Sequence, residues 1–118
     1  MNMKNVREIL AQMNQGMGEL TESVPEAWDH FSGFMEEAEK EGALSAKTKE
    51  LISIAISVYS RCEYCIVYHT YKAMKMGCTR QEILESATLA AVFGGGPSMA
   101  YASALLVATL DEFKEECR

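Results

Sequence analysis

The chain has 118 residues, of which 48% are hydrophobic and 24% are charged. This is the composition of one folded domain, and it excludes disorder as a description of the whole chain. The formal net charge is −6 and Lys and Arg form no cluster, so the sequence predicts no nucleic-acid partner. Only two prolines are present, while Ala, Leu, Met, Glu and Lys are frequent, which favours helices over strands.

Two helices are predicted in the N-terminal part, residues 1–44. Apolar residues at helical spacing indicate the first helix over residues 5–14, before two glycines that loosen the chain. Pro25 is well placed as the first residue of the second helix, which carries an apolar stripe and is expected to end at Gly42.

The predicted core covers residues 45–116. Ser45 is a suitable N-cap, Gly77 suits a left-handed C-terminal cap, and Thr79 with Glu82 makes a capping box. The first core helix is apolar nearly all round, which is typical of the middle of a core or an assembly. Four helices are expected here, at residues 45–59, 62–76, 79–93 and 97–115. Because no strand-like alternation occurs, the sequence predicts one all-α domain over residues 1–118, a bundle of about six helices.

Residues 86–110 contain no charged residue and could cross a bilayer of about 30 Å by length. A Gly-Gly-Gly-Pro turn at residues 94–97 divides this stretch, and neither half could cross alone. Two buried helices around a turn, packed within the chain or against a second subunit, explain it better. The first twenty residues contain no apolar run of signal-peptide length. We therefore expect a cytoplasmic protein with no membrane partner, in a compartment where disulfides are more often catalytic or sensing than structural.

Cys62, Cys65 and His69 are expected to lie on one face of the fourth helix. At about 100° per residue they fall within roughly 60° of one another, with Cys62 in the first turn and His69 deepest. The unpaired N–H groups of a helix start stabilise a thiolate, and an imidazole can accept the thiol proton. A second thiol one turn away can resolve a sulfenic acid or mixed disulfide. The spacing therefore indicates redox chemistry.

Glu50 is a charged residue beside the very apolar segment 51–58, where its solvation should be incomplete. If the third and fourth helices form a hairpin, Glu50 lies roughly 15 Å from the turn and His69 roughly 10 Å, at a rise of about 1.5 Å per residue. A side chain, or a side chain and a water molecule, can close that gap. Glu50 is therefore a candidate to orient His69 and to receive its proton.

The four residues together resemble a known active-site pattern. Glu50, Cys62, Cys65 and His69 stand at the spacing of alkylhydroperoxidase D-like proteins in the carboxymuconolactone decarboxylase superfamily. The resemblance covers roughly the last two-thirds of the chain, from Ala46 onwards. It implies an all-α subunit with thiol peroxidase (peroxiredoxin) or disulfide reductase activity, acting on a hydroperoxide or disulfide substrate. It also implies an external dithiol reductant such as dihydrolipoamide, no bound cofactor, and a homo-oligomer, with a hexamer favoured over the trimer of two-repeat members.

The order of attack is not settled by spacing alone. Exposure at the helix start favours Cys62 as the sulfur that meets an external dithiol, and proximity to His69 favours Cys65 as the activated thiolate. The family resemblance implies attack by Cys65 and resolution by Cys62. Tyr64, between the two cysteines, could join the proton relay through its hydroxyl.

Other interpretations remain open at this point. Cys62, Cys65, His69 and Glu50 could supply four ligands to zinc, or the cysteines could be ordinary buried apolar residues. The fold could then serve as a non-catalytic oligomeric or metal-binding module. A carboxymuconolactone decarboxylase-like enzyme is a further alternative, although the decarboxylase branch lacks this cysteine pair. The remaining candidates are interpreted as bystanders: Cys78, Cys117 and His30.

Overall fold

The computed structural model describes residues 5–117, and every regular element within that range is helical, which confirms the all-α class. A long run near the C-terminus joins two α-helices through a single π-helical turn. The elements in chain order are α1 (Val6–Ser23), α2 (Pro25–Glu39), α3 (Ala46–Tyr59), α4 (Glu63–Lys75), α5 (Arg80–Tyr101), the π-helical turn (Ala102–Leu106) and α6 (Val107–Phe113).

The predicted ends of the first two helices are wrong. α1 does not stop at residue 14 but continues through its two glycines to Ser23, because a helical glycine costs only about 1 kcal/mol and does not by itself end a helix. α1 ends where Pro25 forces the preceding Val24 out of the helical region, at φ −135°. α2 ends at Glu39 rather than Gly42, and the Lys49 ammonium donates to carbonyl oxygens at this end.

The caps predicted in the core are confirmed. The Ser45 hydroxyl accepts a hydrogen bond from the Thr48 N–H, and Thr79 and Glu82 form the reciprocal capping box. Gly77 has φ +89°, a left-handed conformation that costs glycine little. These stops fix the lengths of α3 and α4, so the hairpin they form presents defined side chains to its inner face.

The core lies where α3, α4, α5 and α6 meet, with α1 packed on α4 and α6. The sequence predicted that α3 lies in the middle of a core or an assembly, and within the subunit it is not buried all round, because Ile52 and Ile56 are 44% and 61% exposed. With neighbours on α5 they form an apolar surface that we call the α3–α5 face: Ile52, Ile56, Tyr59, Leu89, Val92 and Phe93. The fully buried large side chains are Ile54, Val58, Ile66, Val67, Ile83, Leu106, Leu110 and Phe113.

The glycine turn expected between the last two helices is a kink inside α5. Gly95 alone leaves the helical region, at φ 63° and ψ −143°, and the helix resumes on the far side. Gly94 is needed for close packing, because a Cβ there would collide with the Ser98 hydroxyl and press on the Tyr59 ring.

The run Arg80–Phe113 is long and apolar enough to cross a membrane by length and composition, at mean hydropathy 1.3. A core helix of a soluble protein passes the same test. Ile83, Ala87, Leu106 and Leu110 of this run are buried in the helical core, but only 28% of its most apolar 18-residue window is buried within the subunit.

Candidate active site

The turn between α3 and α4 places the first cysteine at a helix start. Arg61 has φ 56° and is the one non-glycine residue among residues 5–117 with a positive φ. This reverses the chain, and the Cys62 N–H returns to the Ser57 carbonyl at 3.2 Å. Cys62 then becomes the N-cap of α4, and its sulfur accepts the Cys65 N–H at 3.2 Å. The sulfur therefore lies against the unpaired N–H groups that stabilise negative charge.

Cys62 and Cys65 form a disulfide, with their Cα atoms 5.2 Å apart. The prediction that both sulfurs share one face of α4 is confirmed by this bond. Both side chains are partly exposed, so a small substrate can reach the pair from solvent. A partly exposed disulfide at a helix start is an arrangement suited to thiol exchange.

The hairpin also brings Glu50 and His69 together. Glu50 Oε1 lies 2.6 Å from His69 Nδ1, a direct hydrogen bond with no intervening water. The Glu50 side chain is only 3% exposed and that of His69 is 18% exposed. As long as Glu50 is ionised, its carboxylate accepts and Nδ1 donates, which leaves the lone pair of a neutral His69 ring on Nε2.

Sequence reasoning missed two charged residues that complete this cluster. Lys72 Nζ lies 3.6 Å from Glu50 Oε2 and 3.2 Å from Glu39 Oε1, at the end of α2. Burial lowers the pKa of Lys72, but attraction by Glu50 and the hydrogen bond to Glu39 outweigh it, so the net pKa is raised. Lys72 follows His69 by three residues on the same helix face, which was a usable signal. Glu39 gave none, because only the tertiary fold brings α2 to this point.

The two tyrosines of this segment occupy different places. The Tyr68 ring meets the His69 ring edge-on, with centroids 5.0 Å apart, and lies under Lys72 Nζ at 5.9 Å. Tyr64, the predicted relay member, is 52% exposed and lines a groove with residues of α1. Tyr68 rather than Tyr64 therefore borders the Glu50–His69 contact.

Comparison with known proteins identifies the family. The family model described as "Carboxymuconolactone decarboxylase family" matches residues 24–108. The chain belongs to the carboxymuconolactone decarboxylase family. This result confirms the superfamily that the motif predicted.

Two solved structures of similar proteins share the fold. A carboxymuconolactone decarboxylase family protein of Legionella pneumophila, lpg0406, is 37% identical, with a TM-score of 0.86 over 92% of this chain and 96% of that one. The Thermotoga maritima protein TM1620 is 31% identical over 75% of this chain and 90% of that one, with a TM-score of 0.69. Its description gives a possible involvement in an antioxidative response.

Similar sequences occur in other bacteria. An uncharacterized protein of Cupriavidus necator is 36% identical over 97 residues, which are 82% of this chain and 86% of that protein. The uncharacterized protein 4 of the cox locus of Paracoccus denitrificans is 30% identical over 103 residues, which are 87% of this chain and 92% of that protein.

The three residues interpreted from the sequence as bystanders, Cys78, Cys117 and His30, have surroundings that differ from those of the Cys62–Cys65 pair. Burial raises the pKa of the Cys78 thiol, with Glu82 acting in the same direction, and burial also raises the pKa of Cys117. Both cysteines are free, and His30 is exposed on α2. Glu50 acts electrostatically on the Cys78 thiol, but in the described part of the chain none of the three forms a hydrogen bond or ion pair with Glu50, His69 or Lys72.

One group of side chains has the composition of a metal site. Glu39, Glu50 and His69 offer ligand atoms within 4.8 Å of one another. However, the Lys72 ammonium bonds to Glu39 and lies near Glu50, and it supplies the positive charge that these carboxylates require. We therefore assign no metal to this cluster. The alternative zinc set would need Cys62 and Cys65 as free thiolates, so it could form only in the reduced protein.

After reduction of the disulfide, Cys65 should react with iodoacetamide faster than Cys78 or Cys117, by more than about tenfold at pH 7. The two reference thiols have raised pKa values and so a small thiolate fraction, whereas Cys65 is the third residue of α4 and stands four residues before His69 on the same helix. Quantifying the alkylated peptides by mass spectrometry measures all three rates in one sample. Cys117 controls for accessibility because it is also partly exposed. Equal rates at Cys65 and Cys117 would contradict activation of Cys65.

Proposed function

We propose that this protein is a thiol-dependent oxidoreductase that cycles its Cys62–Cys65 pair between dithiol and disulfide. The observation that carries the proposal is the position of the pair, at the start of the helix whose next turn holds the Glu50–His69 contact. The substrate class is a hydroperoxide or a small disulfide. The description of the Thermotoga relative is in keeping with such a role.

With a hydroperoxide, the Cys65 thiolate attacks the peroxide oxygen. An S–O bond forms while the O–O bond breaks, leaving a sulfenic acid on Cys65 and an alkoxide that takes a proton to become an alcohol. The Cys62 thiol then attacks the sulfenic sulfur, which forms the disulfide and releases water. With a disulfide substrate, the same thiolate gives a mixed disulfide that Cys62 resolves, releasing the substrate as thiols.

His69 and Glu50 move the protons of these steps. Because Glu50 occupies Nδ1, the lone pair on Nε2 is available to take the thiol proton, and the resulting imidazolium can return it to the leaving alkoxide. The buried Glu50 carboxylate orients the ring and stabilises the imidazolium while it lasts. The pair acts as a base and an acid within one cycle.

An external dithiol closes the cycle. One sulfur of a reductant such as dihydrolipoamide attacks the Cys62–Cys65 disulfide, the second displaces the protein thiol, and the reductant leaves as its own disulfide. No bound cofactor enters this scheme, and we propose a cytoplasmic location, where such dithiols are kept reduced.

Treatment of the reduced protein with tert-butyl hydroperoxide should remove two thiols per chain, and dithiothreitol should restore both. Cys65→Ser should abolish this reversible loss, because the attacking sulfur is gone. Cys62→Ser should stop at a sulfenic acid on Cys65 that dimedone traps in a mass spectrum. Cys78→Ser is the matched control and should lose two thiols as the wild type does.

Two results would contradict the proposed function. Loss of two thiols at the wild-type rate in Cys65→Ser would show that the pair is not the reactive site. Stoichiometric zinc in elemental analysis, with thiols unreactive until chelation, would instead favour the metal-binding module.

We also propose that the subunit assembles into a homohexamer through the α3–α5 face. This face has no charged member and carries Phe93, which is 81% exposed, beside Val92, which is 73% exposed. It includes an apolar groove of about 410 Å³ between α3 and α5. Monomeric proteins rarely leave such a contiguous apolar surface open to water.

Multi-angle light scattering should give the mass of six chains for the wild type. Phe93→Glu should lower that mass, because a charge in an apolar contact is desolvated without a partner. Phe34→Glu is the matched control, since Phe34 is also 68% exposed but lies on α2, outside the α3–α5 face. A monomeric wild type, or an unchanged mass for Phe93→Glu, would contradict the proposed interface.

A further inference from the structure

We propose that Lys72 is a positioning residue of this site, whose ammonium keeps the Glu50 carboxylate ionised and so leaves His69 Nε2 free to accept a proton. Its place in catalysis rests on the proposed redox function, but its effect on the proton balance of the pair does not. The proposal starts from how the two oxygens of Glu50 are shared: Oε1 contacts His69 and Oε2 faces Lys72.

Because Glu50 is buried, its carboxylate needs partners on both of its oxygens. The Glu50 side chain is 3% exposed beside the uncharged segment 51–58 of α3, and a buried carboxylate without a cation takes up a proton. A neutral imidazole supplies one hydrogen bond but no charge. Lys72 Nζ lies 3.6 Å from Glu50 Oε2, and the same ammonium donates to Glu39 Oε1 at 3.2 Å.

The charged and titratable groups around Glu50 come from several helices. α2 contributes Glu39, α4 contributes His69 and Lys72, and the turn before α5 contributes the Cys78 thiol, on which Glu50 acts electrostatically. Tyr68 borders His69 through its ring, and Cys62 and Cys65 do not titrate while they form a disulfide. Lys47 of α3 acts on the same Cys78 thiol, and among residues 5–117 Lys72 is the lysine that forms an ion pair with Glu50 and with Glu39.

Replacing Lys72 by a neutral side chain favours the protonated state of the Glu50–His69 pair. Glu50 loses its cation, feels the repulsion of Glu39 without compensation, and keeps its burial. All three effects favour uptake of a proton by the Glu50–His69 pair. If the added proton stays on the imidazole, Nε2 is protonated; if it goes to Glu50, the carboxyl donates to Nδ1 and the ring proton again resides on Nε2. In both cases Nε2 can no longer accept a thiol proton.

The test is a ¹⁵N NMR titration of the histidine rings in the oxidised protein, where the two cysteines cannot titrate. The chain has two histidines, so the exposed His30 provides an internal reference. In Lys72→Met the pH midpoint of the His69 signals should move upward by roughly 0.5 to 1 unit relative to the wild type. The His30 midpoint should not move.

Three further variants make the result specific. Lys72→Arg keeps the charge and should retain the wild-type midpoint, and Lys72→Gln should reproduce the shift if Lys72→Met does not fold. Lys75→Met removes a lysine from the last turn of the same helix, where it lies over the Tyr71 ring at 5.7 Å, and should leave the His69 midpoint unchanged. An unmoved His69 midpoint in folded Lys72→Met or Lys72→Gln would overturn the proposal, and so would an equal shift in Lys75→Met.

The catalytic consequence is read separately. In hydroperoxide turnover, the acid limb of the pH–rate profile should move upward in Lys72→Met by the same amount and return in Lys72→Arg. A shifted NMR midpoint with no hydroperoxide or disulfide turnover in the wild type would contradict the redox function and leave the role of Lys72 standing. Turnover in the wild type together with an unshifted His69 midpoint in Lys72→Met would contradict the role of Lys72 and leave the redox function standing.

Discussion

The hydrogen bond between Glu50 and His69 is the interaction on which the chemistry of this site depends. A carboxylate on a core helix is costly to bury, and the fold accepts it because an imidazole and an ammonium from α4 meet its two oxygens. The same bond decides which nitrogen of His69 holds a proton. Packing and proton transfer are therefore coupled, because the contact that compensates the buried charge also sets the state of the base.

The start of α4 supplies the second half of the site. Cys62 is the N-cap rather than the first helical residue, so its sulfur takes the place that a Ser or Asp oxygen holds in an ordinary cap. The disulfide then spans the first turn, and His69 follows one turn beyond Cys65. A single helix thus carries an anion-stabilising end, two sulfurs and a base in sequence, while α3 supplies the carboxylate.

Much of this arrangement could be predicted from the sequence, because local periodicity determines which residues share a helix face. The spacing of Cys62 and Cys65 was sufficient to predict that their sulfurs lie together. The similar distances of Glu50 and His69 from the turn of the α3–α4 hairpin were sufficient to predict that these two side chains meet. Lys72 has the same periodic relation to His69, but a lysine at i+3 is usually a solvated surface residue and was not singled out. Glu39 had no local signal, since its approach depends on how α2 ends and packs.

The errors in the fold have similar physical causes. Gly16 and Gly18 interrupt the apolar periodicity of α1 without ending the helix. Gly95 changes the direction of α5, but the helical run continues beyond it. The composition of α3 predicted a place in a core or an assembly without deciding between them, because composition reports how apolar a helix is, not whether its partner belongs to the same chain. Ile52 and Ile56 are apolar and exposed in one subunit.

The proton position on His69 in the unmodified, oxidised protein tests the central claim most directly. A long-range ¹H–¹⁵N correlation spectrum at pH 8, with His69→Gln used to assign the ring, reports which nitrogen is protonated. The account predicts a proton on Nδ1 and a lone pair on Nε2. A neutral ring with its proton on Nε2 would show that Glu50 is not the ionised acceptor, and would contradict the account.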